Sequence, residues 1–324
     1  MRAIVVSSLG DPEVLRLADV PQPEPGPGQV LVRLHRTGVN FSDTERRRGV
    51  YASLKLPWIP GAEGAGVVEA VGEGVDPALR GERVSFWAMP PAVSGTYAEY
   101  AVAPESSLFL LGDRVGFDEG AALPLQGLTA YGVVHFAAQV REGQTVLIHA
   151  AGGGVGLIAV QLARLAGARV LGTVSNDDKA AAVQAVGGET LAYGDDLPQR
   201  VLAATRGRGV DIVLDSIGRD TQEASLACLA PYGHLVHYGE ASGPARPVDL
   251  EWLYDRCLKV SAFGLYLDDE ESLAAARREL QRRLEDGSLR LNVSRVLPLE
   301  DAAEAHRLLE SRQAVGKVLL SPRK

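Results

Sequence analysis

A chain of 324 residues is longer than one hydrophobic core usually serves, so two domains are expected. Its 46% hydrophobic and 23% charged content is that of a soluble globular protein, and its net charge of −8 excludes the basic footprint of a nucleic-acid binder. Two cysteines, Cys228 and Cys257, exclude a disulfide scaffold and fit a reducing, cytoplasmic setting.

The N-terminal residues Met1-Arg2-Ala3-Ile4-Val5-Val6 run directly into a strand-like segment and lack the features of a signal peptide. No stretch reaches the roughly 20 apolar residues of a membrane span. Residues 21–28 hold four prolines and two glycines and read as an extended connection. Val30, Val32 and Leu34 alternate with Leu31, Arg33 and His35, the period of a strand with one polar face. A short helix over Phe41–Arg48 follows, capped by Asn40 or Ser42, with Arg46, Arg47 and Arg48 read as a solvated helix face. Residues 64–71 and 83–86 are further strands.

The pattern changes near residue 123. Apolar strands at 145–149, 169–174, 211–214 and 234–238 alternate with helix-length segments, among them 155–166 and 177–186. Strands separated by helices imply βαβ units and a doubly wound parallel sheet. A charged helix over 268–285, a strand at 291–297, a helix at 301–312 and a last strand at 317–320 complete the chain. The expected domains are residues 1–122, an α/β insert over 123–261, and a return to the first domain over 262–324.

The strongest chemical signal is His149-Ala150-Ala151-Gly152-Gly153-Gly154-Val155-Gly156, which follows a buried strand and opens a helix. A pyrophosphate loop requires that context: glycines let the dinucleotide touch backbone, and the helix start offers unpaired N–H groups to phosphate. NAD-binding folds place a carboxylate at the end of the second strand, about 20 residues on. Here that strand ends Thr173-Val174-Ser175-Asn176, and Lys179 lies one turn into the next helix, within reach of a 2′-phosphate. NADPH is the expected cofactor.

Further motifs occur in order: Gly10-Asp11-Pro12-Glu13-Val14-Leu15, Gly38-Val39-Asn40-Phe41-Ser42-Asp43, Pro60-Gly61-Ala62-Glu63-Gly64-Ala65-Gly66 and Gln126-Gly127-Leu128-Thr129-Ala130-Tyr131. After the glycine loop come Asp215-Ser216-Ile217-Gly218, Tyr238-Gly239-Glu240-Ala241-Ser242-Gly243 and Gly316-Lys317-Val318. Together they resemble the medium-chain dehydrogenase/reductases, and within them the quinone oxidoreductases related to zeta-crystallin, over nearly the whole chain. The resemblance implies a GroES-like β-rich catalytic domain joined to a Rossmann domain, and a homodimer. It implies that Asn40 and Thr129 lie near the nicotinamide, with Phe263, Leu265 and Lys317 completing that side, and that Gly127 also binds the cofactor. Gly153, Gly154, Val155 and Gly156 would hold the pyrophosphate. Ser175, Lys179 and Tyr193 would surround the 2′-phosphate and its ribose, and Tyr238, Gly239 and Ser242 would line the adenine or ribose path.

Zinc-dependent relatives carry Cys where this chain has Asn40 and His where it has Ala62, and no cysteine occurs in the first 227 residues. No metal site is expected. Without a Lewis acid, the suitable acceptor is an electron-poor quinone or an activated alkene, which takes hydride at low cost. The following proton would come from water or from Tyr51. Glu45 departs from the family pattern, since some quinone reductases have tyrosine there.

A small-molecule quinone or enone is thus the expected partner, with no nucleic acid and no membrane. An enoyl or enone reductase shares the fold, cofactor and lack of zinc, and is the alternative. A crystallin-like or RNA-binding role is opposed by the acidic balance. No G-x-S-x-G elbow or Walker A motif supports a hydrolase. Residues 248–265 mix Trp252, Tyr254, Val260 and Phe263 with few charges, and either join two subunits or pack within the chain.

Overall fold

The computed structural model describes residues 1–50, 55–88, 94–265 and 269–323. Its contacts divide the chain into two units, Met1–Leu125 with Glu270–Lys324, and Gln126–Asp269. Leu123 to Leu125 therefore go with the first unit and residues 262–269 with the second, later than the expected boundaries at 122 and 261. The second shift has a local cause. The strand Lys259–Ala262 is paired into the second unit's sheet, and the Phe263 N–H continues that pairing to the His237 carbonyl at 2.8 Å.

The first unit opens with the antiparallel pair β1 (Arg2–Val5) and β2 (Arg16–Asp19). Then come β3 (Gln29–Val39), α1 (Phe41–Arg48), β4 (Glu63–Val71), β5 (Arg83–Trp87), β6 (Tyr100–Pro104), β7 (Leu108–Leu110) and α2 (Phe117–Ala122). Helix α3 (Pro124–Tyr131) contains the boundary between the units.

Long strand β3 is the hub of the first unit's mixed sheet: β4 lies on one side, and β6 and the C-terminal strand share the other. Val30, Val32 and Leu34 are fully buried, as the alternation requires. The opposite face is less polar than expected. Leu31 is buried, and His35 stacks on Phe117 of α2 with ring centroids 4.2 Å apart. Helix α2 covers the His35 end of that face, while Arg33 stays partly exposed and pairs with Glu69.

Within the second unit, β8 (Thr145–Ile148), α4 (Gly154–Leu165), β9 (Arg169–Val174), α5 (Asp177–Ala185), β10 (Glu189–Ala192) and α6 (Leu197–Ala204) follow in alternation. They continue into β11 (Val210–Asp215), α7 (Gln222–Cys228), β12 (Leu229–His237), α8 (Leu250–Arg256) and β13 (Lys259–Ala262). All pairings in this sheet are parallel, in the order β10-β9-β8-β11-β12-β13. Numbered within the unit, that is 3-2-1-4-5-6, the dinucleotide-binding order, in which ligands lie outside the carboxyl ends of the strands where the order reverses. Leu147, Leu171, Val213 and Leu235 from four adjacent strands join Leu197, Val201 and Leu226 of the helices in one core. Sequence periodicity alone does not separate α3 from the π-helical turn that continues it over Gly132–Ala137.

The chain closes with α9 (Glu270–Glu285), β14 (Val293–Pro298), α10 (Ala302–Glu310) and β15 (Lys317–Ser321). Strand β15 pairs antiparallel with β3 and parallel with β14, so the C-terminal segment completes the first sheet. Its Val318 and Leu320 share a core with Ile4, Val39 and Leu299. Among the described residues, no helix is long and apolar enough to cross a membrane.

Candidate active site

The first unit concentrates buried charge around the start of α1. Asn40 is the N-cap, in extended conformation, and its N–H donates to the Asp43 carboxylate at 2.9 Å. The Asn40 side chain is held at both ends. Its Nδ2 donates to Glu63 Oε1 at 2.7 Å, and its Oδ1 accepts from Lys317 Nζ at 2.6 Å. Lys317 also donates to Glu63 Oε1, closing a triangle, and Glu63 Oε2 accepts the Leu125 N–H at 2.7 Å. Glu63 and Lys317 are 0% and 1% exposed, so neither charge has water to solvate it and each depends on the other. Their juxtaposition comes from sheet order, since β4 and β15 flank β3 on opposite sides. Gly38 of β3 lies between them: a Cβ there would stand 2.5 Å from Glu63 Oε1 and 2.7 Å from Lys317 Cε.

One layer further in, Tyr97 Oη donates to Asp43 Oδ2 at 3.2 Å and lies 3.1 Å from His306 Nε2. Burial raises the Asp43 carboxyl against the pull of Arg46, and burial raises the Tyr97 hydroxyl well above its usual range. Burial, with Arg47 nearby, drives the His306 imidazole down to about 3. Arg47 is 1% exposed and paired with Glu310, while Arg46 sits 3.7 Å from Asp43. The arginine run is therefore no solvated face at its centre. The C-terminal helix α10 covers α1 and supplies the carboxylate that Arg47 needs.

His306 makes a pH prediction. Above pH 6.5 its ring is neutral in folded and unfolded chains alike. As pH falls from 6.5 toward 3, only the unfolded chain gains the proton, so stability is lost with acid, by up to about 1.4 kcal/mol per pH unit. His306→Gln keeps a hydrogen-bonding group for Tyr97 without the titration. Urea unfolding at pH 7 and pH 5 should show the variant losing about 2 kcal/mol less than the parent over that interval. Equal losses would mean that His306 titrates normally.

In the second unit, Gly153 caps α4, whose first turn holds Gly154, Val155 and Gly156. Gly156 is required by close approach, since a Cβ there would stand 2.4 Å from the Ala150 carbonyl oxygen. Ala150 takes a left-handed conformation with φ of 50°, at a cost of about 1–3 kcal/mol. Its N–H donates to the Tyr193 hydroxyl at 2.8 Å. At the end of β9, Asn176 caps α5 by accepting the Lys179 N–H at 3.0 Å, and Lys179 Nζ donates to Ser175 Oγ at 3.2 Å. The Lys179 stem runs beside Gly152, where a Cβ would meet Lys179 Cβ at 2.6 Å. Ser175, Lys179, Tyr193 and the glycine loop are thus one continuous surface.

Other expected residues have their own places. Ser242 Oγ donates to the Ile217 carbonyl at 2.8 Å and accepts the Asp220 N–H at 3.0 Å, tying the loop after β12 to the loop after β11. Gly239 lies over Ser216, and burial pushes the Tyr238 hydroxyl up while Ser216 hydrogen-bonds it. The Phe263 ring fills the space beside Gly132, and Leu265 is buried. Gly127 and Thr129 lie on α3. Tyr51 lies outside the described residues. Among the described residues, no group of three or more His, Cys, Asp or Glu is arranged to hold a metal, and Ala62 is buried.

Glu63 lies in the Pro60–Gly66 motif, but its pairing is not legible from the sequence alone. The signal was a carboxylate at the head of a glycine- and alanine-rich strand, a position that needs a buried cation.

Residues 26–113 match the family model described as alcohol dehydrogenase GroES-like domain, and residues 187–320 that described as zinc-binding dehydrogenase. A GroES-like unit joined to a Rossmann unit defines the medium-chain dehydrogenase/reductase architecture. The chain is 40% identical over 326 residues to a quinone oxidoreductase of Pseudomonas aeruginosa, with 99% of each covered. It is 37% identical to a 2-haloacrylate reductase of a Burkholderia species, over 99% of this chain and 98% of that protein. Its fold matches that of Escherichia coli quinone oxidoreductase complexed with NADPH at a TM-score of 0.93, with 35% identity and 99% and 100% of the two chains covered. The chain belongs to the quinone oxidoreductase family of these enzymes.

Proposed function

We propose that the chain is a zinc-independent NADPH:quinone oxidoreductase. The observation that carries this reading is Lys179, bonded to Ser175 at the end of β9 and packed along the glycine loop, where an NAD site places a carboxylate. Bound NADPH supplies a hydride. The α4 N-terminus, with Gly153, Gly154, Val155 and Gly156, offers N–H groups to the pyrophosphate, and Lys179, Ser175 and Tyr193 take the 2′-phosphate. Tyr238, Gly239 and Ser242 line the adenosine path.

Asn40 and Lys317 of the first unit, and Thr129, Phe263 and Leu265 of the second, are the candidates for the nicotinamide end, and Gly127 is a further cofactor-binding candidate. An amide has two N–H hydrogens, and Glu63 takes one from Asn40, which leaves the other for an oxygen of cofactor or substrate. Glu63 and Lys317 fix that amide's orientation. With Asn40 and Ala62 in the positions of zinc ligands, the protein's contribution is positioning, and a quinone needs no Lewis acid. Water or Tyr51 delivers the proton afterwards.

A second reading, reduction of an activated alkene, is favoured by the likeness to 2-haloacrylate reductase. The enzyme acts in the cytoplasm, consistent with free Cys228 and Cys257, and as a homodimer. Exposed Leu250, Tyr254 and Val260, beside and on the edge strand β13, support that assembly.

The test is oxidation of NADPH and of NADH with 1,4-benzoquinone and 9,10-phenanthrenequinone, with a metal chelator present. Rapid turnover with NADPH, and turnover at least about tenfold less efficient with NADH, is the expected result. Turnover with NADH alone would overturn the role of Lys179. Tight NADPH binding without quinone turnover would move the assignment to the activated alkene.

A further inference from the structure

The carboxyl end of β8 carries a buried polar cluster that the proposed reaction does not use. His149 is fully buried. Its Nδ1 lies 3.0 Å from Thr173 Oγ1 and its Nε2 3.0 Å from Ser225 Oγ. Ser225 Oγ donates to Asp215 Oδ2 at 2.7 Å. Asp215 also accepts the Ile217 N–H at 2.8 Å, the Gly218 N–H at 3.1 Å and the Thr221 hydroxyl at 2.8 Å.

The Ser225–Asp215 contact fixes a hydrogen on Nε2. A carboxylate only accepts, and a serine hydroxyl has one hydrogen. Ser225 gives that hydrogen to Asp215, so toward His149 it accepts, and Nε2 carries the ring's hydrogen. A neutral ring then accepts at Nδ1, and the Thr173 hydroxyl donates there. Burial lowers the His149 imidazole, against the opposing pull of Asp215, and so favours the neutral ring.

The ring sits at the root of the glycine loop. Tyr193 stacks on it with centroids 6.0 Å apart and planes 18° apart, and the Tyr193 hydroxyl accepts the N–H of the next residue, Ala150. Ser225 and Asp215 therefore hold the ring from α7 and β11, and the ring supports both Tyr193 and the strained Ala150 turn.

We propose that His149, held as its Nε2–H tautomer by Ser225 and Asp215, is a positioning residue that aims the glycine loop and Tyr193 at the phosphates of the nucleotide. The proposal rests on the reading of this loop as the NADPH site. It is tested on the full chain with Ser225→Ala, His149→Ala and His149→Gln, in which the glutamine amide restores a donor where Nε2–H stood.

NADPH affinity is measured by calorimetry well below each variant's melting temperature, alongside kcat at saturating NADPH. Ser225→Ala is expected to weaken NADPH about 3- to 10-fold with kcat unchanged, and His149→Gln to recover part of the loss of His149→Ala. Nitrogen-15 spectra of the parent should show His149 protonated at Nε2 and bare at Nδ1 from pH 6 to 8. The Nδ1–H tautomer, or parental NADPH affinity in both Ser225→Ala and His149→Ala, would overturn the proposal. A parent protein that binds no NADPH would overturn the cofactor reading itself, a result the tautomer spectra do not mimic.

Discussion

Lys317→Met is expected to destabilise the first unit by about 3–5 kcal/mol, the cost of leaving one partner of a buried ion pair alone. The lysine is 1% exposed and bonds both Glu63 and Asn40, so its removal strands a carboxylate that has no access to water. Lys317→Met combined with Glu63→Gln should recover most of the loss, because a neutral amide costs far less to bury. The measurement is urea unfolding in a Trp252→Phe background. The remaining tryptophans, Trp58 and Trp87, both lie in the first unit. A single variant within about 1 kcal/mol of the parent would show that the pair is solvated, as surface pairs are. The double variant should remain poor in catalysis even when stable, since Asn40 then lacks the groups that orient it.

Lys179→Met should weaken NADPH by about 10- to 150-fold and leave NADH unchanged, since a charge-assisted contact contributes about 1.5–3 kcal/mol. Methionine preserves the apolar stem that packs beside Gly152, so the loop keeps its support while the ammonium is lost. Affinities for both nucleotides, measured on one preparation, separate the 2′-phosphate from the rest of the cofactor. Equal weakening of NADPH and NADH would mean that Lys179 shapes the loop and does not read the phosphate.

Much of this was legible in the chain itself. The strand–glycine–helix junction at β8 and α4, the βαβ alternation and the lysine after β9 are local patterns. Each depends on residues close in sequence, where periodicity and turn chemistry act directly. The α1 segment was also readable, with its cap narrowed to Asn40 or Ser42, of which the structure uses Asn40. Elements lacking a clear period have no such signal, among them β6, β7, β10 and the π turn after α3.

The buried charge network belongs to tertiary structure. Glu63 and Lys317 are 254 positions apart and meet because β3 lies between their strands. Arg47 reads as surface until α10 returns 263 positions later with Glu310. His149, Ser225 and Asp215 come from β8's end, α7 and β11, and only the parallel sheet order puts them in one hydrogen-bonded chain. Composition and local pattern determined the class of fold and the glycine-rich turn between β8 and α4, because backbone conformation there is set by neighbours in sequence. Which polar side chains are buried, and therefore which must pair, was decided by strand order, because desolvation is a property of the packed molecule and has no local signature.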